Sequence, residues 1–595
     1  MEADARSFGA LRIALGCLLL ADLGSRWNYA EAFYSNDGVL TNHFALFRPL
    51  VDHQFSLWFA FSQLRDVQWV FGLTLLVYAA FLVGYRTRVF HLLSLVAVTS
   101  LHARNLLAEL ASDVPLHWFL VWTLFLPLGA RFSIDSVSRS LKREPEHTPE
   151  DLARPRPAPQ QVVSLAVLAL LLQLAVMHLE PGRFASGGTW SDGSALYYAL
   201  HQPMWTTSLG AWIGDHVPFR PLTMGYRLLN VLAGCLVLVP FSPARKAALL
   251  SLALLHVGSA ALFRLGLYDW ILLAPAFLLV TGRDWDRVRE WFAARRPRLV
   301  VYFDADCGIC FAIARLLARL DGFGRLAFAA GASEQAPAEV RASSDKTVSV
   351  ERRPDGAIEV RSRAFARICR SLPFLAPLGW FILVPGISWV AERVYEWIAR
   401  RRAEISVFFG HRACGVARPE QQPRGRAPRA GGELGKVFRE SGAAVALLVA
   451  SAALVLGFDD DTKESGWRGE LLAWVAYPRL FQVWKPALPD VSPRRGKLVV
   501  DAFTFDGPRV VPLESIGGGP LFSAYFERIS QPRFAEYLDG LRNYIRQKSD
   551  QGSMGARLAS FTINWELWPI ALPGADLRAD AAETLAVRRK LIGHP

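Results

Sequence analysis

Nine apolar runs, most of them flanked by arginine, dominate this 595-residue chain and restrict it to one broad class. Eight precede residue 285: 8–23, 67–84, 89–103, 115–130, 162–179, 225–241, 247–263 and 268–280. A bilayer span takes ~20 mostly apolar residues, fewer where flanking side chains snorkel, so each run is a candidate span even though several are short. The loops between them sort by charge. Arg86 and Arg88, then Arg131, Arg139, Lys142, Arg143, Arg154 and Arg156, then Arg245 and Lys246, then Arg283, Arg287, Arg289, Arg295, Arg296 and Arg298 fall in alternate loops. This positive-inside distribution predicts a multi-pass protein of a bacterial inner membrane, with its N-terminus in the cytoplasm and the lipid bilayer as its first partner. It also accounts for most of the +13 net charge. With no groove-reading motif present, nucleic acid is excluded as a partner. The first run contains Arg12 and lacks a small-residue cleavage site before Asp22, so it reads as a retained span.

After residue 284 the pattern turns soluble. Residues 299–303 read as a buried strand and 311–320 as a helix, with Cys307 at the joint. The apolar stretch 372–390 imitates a span, but Pro373, Pro377 and Pro385 argue against a straight helix and place it within the soluble module, against the membrane surface. A basic linker at 416–440 leads to the ninth run, 441–457, and parity puts 458–595 outside the cell. That tail predicts strands at 498–505 and 509–513 around Asp506-Gly507, then a helix over 522–548.

Six cysteines divide into Cys17 and Cys235 in apolar segments and four between Cys307 and Cys414, which is no secreted disulfide framework. Cys307-Gly308-Ile309-Cys310 opens a predicted helix. There the backbone N–H groups and the macrodipole lower a thiol pKa, making Cys307 the attacking thiol and Cys310 the resolving one. Asp304 and Asp306 oppose a thiolate at Cys307, but Asp304 could relay a proton from the buried thiol. Two plainer readings stay open: a structural zinc site completed by Cys369, His411 or Cys414, and cysteines without a shared role. The site assignment includes no metal. A cytoplasmic dithiol rests reduced, which favours reductase or thiol-transfer chemistry with a protein partner.

The run Val301-Tyr302-Phe303-Asp304-Ala305-Asp306-Cys307-Gly308-Ile309-Cys310, with 393–402 and Phe408-Phe409-Gly410 downstream, resembles the DCC family of thiol-disulfide oxidoreductases over residues 298–415. The resemblance implies a thioredoxin-like fold with redox-active Cys307 and Cys310. The expected fold class is therefore a polytopic α-helical membrane protein with a thioredoxin-like α/β soluble domain and a C-terminal α+β domain. Its expected segments are 1–284, 298–415, 416–440, 441–457 and 458–595.

Ionisable groups at membrane depth are functional candidates because an unpaired charge there is costly. The clusters are His102, Arg104 and Asn105; Asp113 and His117; His178 and Glu180; and Asp192 and His201, all on the outer side, although each histidine alone is more simply a helix-bridging hydrogen bond. His102, Arg104, His178 and His201 are the cofactor-binding candidates. No motif demands a cofactor; a quinone is the one that a dithiol on one face and histidines on the other would call for. Stretches 31–40, 84–88, 100–105, 125–135 and 190–200 resemble the HTTM membrane domain shared with vitamin K-dependent gamma-carboxylase. That resemblance implies an outward-facing lysine before the Trp-Asp-Gly motif, yet 178–184 contains none, and Arg183, whose guanidinium stays protonated, is no ordinary base. Carboxylase chemistry would need His178 or His201 instead.

Three functions therefore compete. The first is a membrane-bound thiol-disulfide oxidoreductase serving an envelope or secreted client. The second is a carboxylase-like enzyme modifying a quinone or peptide. The third is a non-catalytic maturation or export factor whose tail binds a secreted client.

Overall fold

The computed structural model describes residues 2–50, 54–141, 161–184, 188–294, 299–321, 324–334, 336–343, 347–353, 355–372, 375–410, 437–438, 440–447, 491–504, 507–511, 516–552, 557–573 and 587–593. Each apolar run before residue 285 contains a helix: α1 (Ala5–Trp27), α2 (Leu64–Val83), α3 (Thr87–Ala103), α4 (Asp113–Thr123), α5 (Leu165–Phe184), α6 (Phe219–Val237), α7 (Ser242–Leu262) and α8 (Tyr268–Leu273). By length and composition, α1, α2 and α7 could cross a bilayer, while Leu165–Leu179 and Tyr268–Leu279 are shorter apolar helices. Two runs depart from expectation. The run 115–130 is helical only to Thr123 and then turns, because Pro127 has no N–H with which to continue the ladder. In 268–280, Pro275 likewise forces the second half into a 3-10 helix, Ala274–Leu279.

The two ends of α1, about 35 Å apart at 1.5 Å per residue, define two faces of the bundle. At its N-terminal end Ser7 Oγ donates to the Val280 carbonyl at 3.1 Å and Arg6 pairs with Asp286 at 2.7 Å. Arg12, the charge that interrupts the first run, is fully buried there and donates to the carbonyls of Leu128 (3.1 Å) and Arg131 (3.3 Å). It supplies donors to a turn whose buried carbonyls would otherwise be unpaired. Gly84 ends α2 at the same place with φ +72°; a Cβ on it would lie 2.5 Å from Ser133 Cβ and 2.8 Å from the Arg12 guanidinium.

Helix α9 (Gly282–Ala294) leads from this face into a second core. There β1 (Leu299–Phe303), α10 (Gly308–Leu320), β2 (Leu326–Ala330), β3 (Ser349–Arg352), β4 (Ala357–Val360) and α11 (Arg361–Ser371) follow one another. The sheet order is β2-β1-β3-β4, with β1 parallel to β2 and the other pairings antiparallel. Val301, Phe303, Phe311, Leu317, Phe328 and Ile368 fill the space between sheet and helices. The module rests on the bundle's first face: α10 packs against Ile134–Leu141, and Arg325 lies over the Phe292 ring at 5.9 Å. The apolar stretch 372–390 forms α12 (Ala376–Ile382) and the start of α13 (Ile387–Phe408), broken at Pro385-Gly386, where Gly386 adopts φ +88°.

The C-terminal region holds β5 (Arg494–Thr504), β6 (Gly507–Val511), α14 (Pro520–Ile529), α15 (Leu538–Asp550), β7 (Leu558–Pro569) and β8 (Val587–Gly593) in an antiparallel sheet of order β8-β7-β5-β6. The β5–β6 hairpin pairs Thr504 with Gly507, so Gly507 stands on the strand and β6 begins two residues before the expected 509. The single helix predicted over 522–548 is instead α14 and α15 separated by a 3-10 turn starting at Pro532. This domain docks at the other end of α1. Phe522 packs on Phe33 with ring centroids 4.7 Å apart, Lys548 pairs with Glu31 at 2.9 Å, and Arg528 donates to the Leu107 carbonyl at 3.0 Å. Of the ninth run, 441–447 is helical and 448–457 lies outside the described residues, as does most of the 416–440 linker. Glu440 accepts the Leu165 N–H at 2.7 Å, so this segment starts on the same face as the second core.

Candidate redox site

Buried over its whole length, β1 delivers the chain to the site from the middle of a sheet. After Phe303 the Asp304 carboxylate accepts the Asp306 N–H at 3.0 Å, a local turn that sets Cys307 at the N-cap of α10 in extended conformation. The N-cap Cys307 makes no side-chain capping hydrogen bond, and the first N–H groups of α10 with the positive end of its dipole lie at the cysteine motif. The sequence placed the attacking thiol here. In the structure Cys307 is fully buried and already disulfide-bonded, whereas Cys310, less than one turn on, is free and half-buried. The motif is therefore not closed on itself. In this state Cys307 is the electrophilic sulfur, and Cys310 is the free thiol beside it.

Burial pushes the Cys310 thiol up to about 11, the Arg402 guanidinium draws it down and the Asp304 carboxylate raises it again. Arg402 comes from α13, more than 90 residues downstream. It hydrogen-bonds Cys310 and forms an ion pair with Asp304 at 3.2 Å. Helix α13 is held in register by its inner face. Glu392 accepts from Ser362, and the Tyr395 hydroxyl accepts the Val348 N–H at 2.9 Å. The resulting group is a free thiol, a cation and a carboxylate around a disulfide sulfur at a helix N-terminus. Such a group can exchange disulfides, with Arg402 favouring the Cys310 thiolate and Asp304 available to take its proton. Spacing alone could not find Arg402; only the downstream run 393–402 pointed toward it.

The zinc reading loses its central ligand, since a sulfur in a disulfide is not a thiolate. Cys369 is buried in the core beside Ile368, which pushes its thiol up to about 11 as well. His411 and Cys414 lie outside the described residues. Among the described residues, the one set of three ligand-type side chains close enough for a metal is Asp22, His102 and Asp113. Arg26 already bridges its carboxylates, at 2.9 Å to Asp22 and 2.7 Å to Asp113.

The four cofactor candidates of the bundle make separate sets of contacts among the described residues. His102 Nε2 lies 2.9 Å from Asp22 in the buried Asp22–Arg26–Asp113 network, and Arg104 is fully buried with one nitrogen donating to the Leu40 carbonyl at 2.8 Å. His178 Nε2 meets His256 Nε2 at 3.0 Å, and His256 Nδ1 meets Asp269 at 3.0 Å. His201 sits nearer the surface, 3.1 Å from Asp215. Sequence reading missed Asp22, Arg26, His256 and Asp269; the i,i+4 pair of opposite charges across the end of the first apolar run was the available signal. An apolar groove of about 600 Å³ runs between α1, α7 and α8, lined by Leu18, Ala253, Trp270 and Phe277 among others. None of His102, Arg104, His178 or His201 lines it.

No curated protein and no solved structure matches the chain. Residues 301–408 match the family model of DCC1-like thiol-disulfide oxidoreductases, and the matched stretch contains Asp304, Cys307, Cys310 and Arg402.

Proposed function

We propose that the chain is a membrane-embedded thiol-disulfide oxidoreductase whose redox module and client-facing domain occupy opposite faces of the helix bundle. The observation that carries the reading is the free Cys310 beside the disulfide-bonded Cys307 at an uncapped helix N-terminus, inside the family match. The β2-β1-β3-β4 order, with β3 antiparallel to β1, supports a thioredoxin-like module. Cys310 loses its proton and its thiolate attacks Cys307 Sγ. A new Cys307–Cys310 bond forms, the existing S–S bond breaks, and the former partner sulfur leaves as a thiolate that takes up a proton. The oxidation level is unchanged. The resulting pair accepts two electrons from a partner dithiol, which becomes a disulfide, and in the reducing cytoplasm the reduced pair runs the same exchange in reverse, passing two electrons to a partner disulfide, which becomes a dithiol.

Membrane insertion through α1, α2 and α7 is supported by their length and apolar composition. The alternating loop charges support placing the redox face in the cytoplasm, and the C-terminal domain then meets a secreted client on the far side. The test is full-length chain in nanodiscs with a reduced dithiol peptide as substrate. Wild type oxidises the peptide, Cys310→Ser accumulates a covalent adduct through Cys307, and Cys307→Ser does neither. If the Cys307→Ser chain oxidises the peptide as fast as wild type, the proposal fails.

A further inference from the structure

We propose that α12 and the outward face of α13 form a membrane-surface platform that holds the redox module down on an anionic leaflet. The inference rests on the proposed membrane placement of the bundle.

The inner face of α13 is fixed by Glu392, Tyr395 and Arg402, so its opposite face is set by geometry. That face should be polar if it met only water. Instead it carries Trp389 (64% exposed), Val394 and Trp397 (both 50% exposed), and α12 adds Trp380 at 60% and Phe381 at 57%. Contiguous apolar area of this kind on a water-soluble domain marks a binding surface. The charges beside it identify the occupant. Arg370 lies over the Trp380 ring at 3.7 Å, Arg393 over Trp389 at 5.4 Å and Arg401 over Trp397 at 5.3 Å. Arg400 is also exposed, and Glu404 is the one exposed acid on this face of α13. Tryptophans paired with arginines along one helix face match the phospholipid interface, where the rings sit at headgroup depth and the guanidinium groups reach the phosphates.

The attachment of the module agrees. It leaves the bundle through α9, rests on Ile134–Leu141, and the chain re-enters the same face where Glu440 accepts the Leu165 N–H. Arg402 links platform and site, because the helix that would lie on the lipid also places the guanidinium on Cys310 and Asp304.

The experiment uses the full chain in phosphatidylcholine nanodiscs with or without 30% phosphatidylglycerol as probe, about one lipid in three being anionic. A photoreactive p-benzoylphenylalanine replaces Trp389, Trp397, the exposed Glu339 elsewhere on the module, or the outward Leu73 of α2 in separate samples. The expected result is phospholipid adducts from positions 389, 397 and 73 and none from 339. The yield at 389 and 397 should fall several-fold in pure phosphatidylcholine and in the Arg393→Gln/Arg400→Gln/Arg401→Gln variant, while position 73 is unaffected. Lipid adducts at 73 with none at 389 and 397 overturn the platform and leave the membrane reading standing, as do protein adducts at 389 in place of lipid. No adduct at 73 overturns both.

Discussion

Replacing Arg402 with leucine removes the cation that hydrogen-bonds the Cys310 thiol and breaks its ion pair with Asp304 in the same step. A hydrogen bond to a charged group is worth ~1.5–3 kcal/mol, against ~1.4 kcal/mol for a tenfold change in ionisation, so losing it should push the already raised thiol further up. The thiolate fraction at pH 8, roughly one in a thousand in the wild type, falls by roughly 10- to 100-fold. Higher-pKa thiolates are better nucleophiles, with a Brønsted slope of about 0.4–0.5, so the observed rate should drop by only about 3- to 10-fold. The assay is iodoacetamide alkylation of the full chain with the Cys307 disulfide intact, resolved at Cys310 by peptide mass spectrometry. The wild-type rate should climb about tenfold per pH unit from 7 to 10, because the thiol is protonated throughout that window. Arg402→Lys should recover part of the loss. Cys369, buried in the core, serves as the internal control. An Arg402→Leu chain that alkylates at Cys310 as fast as wild type, with Cys369 unchanged, would refute the role given to the guanidinium.

Further expectations follow from neighbouring contacts. Asp304→Asn removes the carboxylate that raises Cys310, so its alkylation at pH 8 should quicken a few-fold in the same assay. Phe522→Ala empties the contact with Phe33, should cost ~3–5 kcal/mol, and should expose 491–573 to limited proteolysis without altering Cys310 reactivity. Arg26→Leu leaves Asp22 and Asp113 buried without their bridge, a loss of ~3–5 kcal/mol that should lower the melting temperature of the chain in nanodiscs. An unchanged melting temperature would show that the pair is not buried as described.

Local signals in the sequence were strong where one element decides the structure. The strand at 299–303 stands where its apolar content put it, and the helix expected over 311–320 begins three residues earlier, at Gly308, directly after the turn at Asp304. The apolar runs located helices but not their ends, because Pro127 and Pro275 halt or tighten helices that hydropathy alone would continue. Pro532 divides the long C-terminal helix for the same reason. The site was half legible. Cys307 and Cys310 announce themselves by spacing, whereas Arg402 reaches them only because α13 crosses back over α10. Which cysteine is bonded could not be read, since disulfide connectivity is a property of the fold rather than of the motif. In the bundle, histidines were visible one at a time, but their partners Asp22, Asp269 and Arg26 stand on other helices or inside an apolar run and emerge only on packing.

Cys307 and Cys310 should couple as a two-electron redox pair. The full chain in nanodiscs, poised across a dithiothreitol redox series and differentially alkylated, reports the state of each cysteine by mass spectrometry. The account predicts a window in which Cys310 becomes protected together with Cys307, as a Cys307–Cys310 disulfide whose ratio to dithiol changes tenfold per ~30 mV. A Cys310 that stays alkylatable at every potential, while the Cys307 disulfide opens and closes without it, would contradict the account.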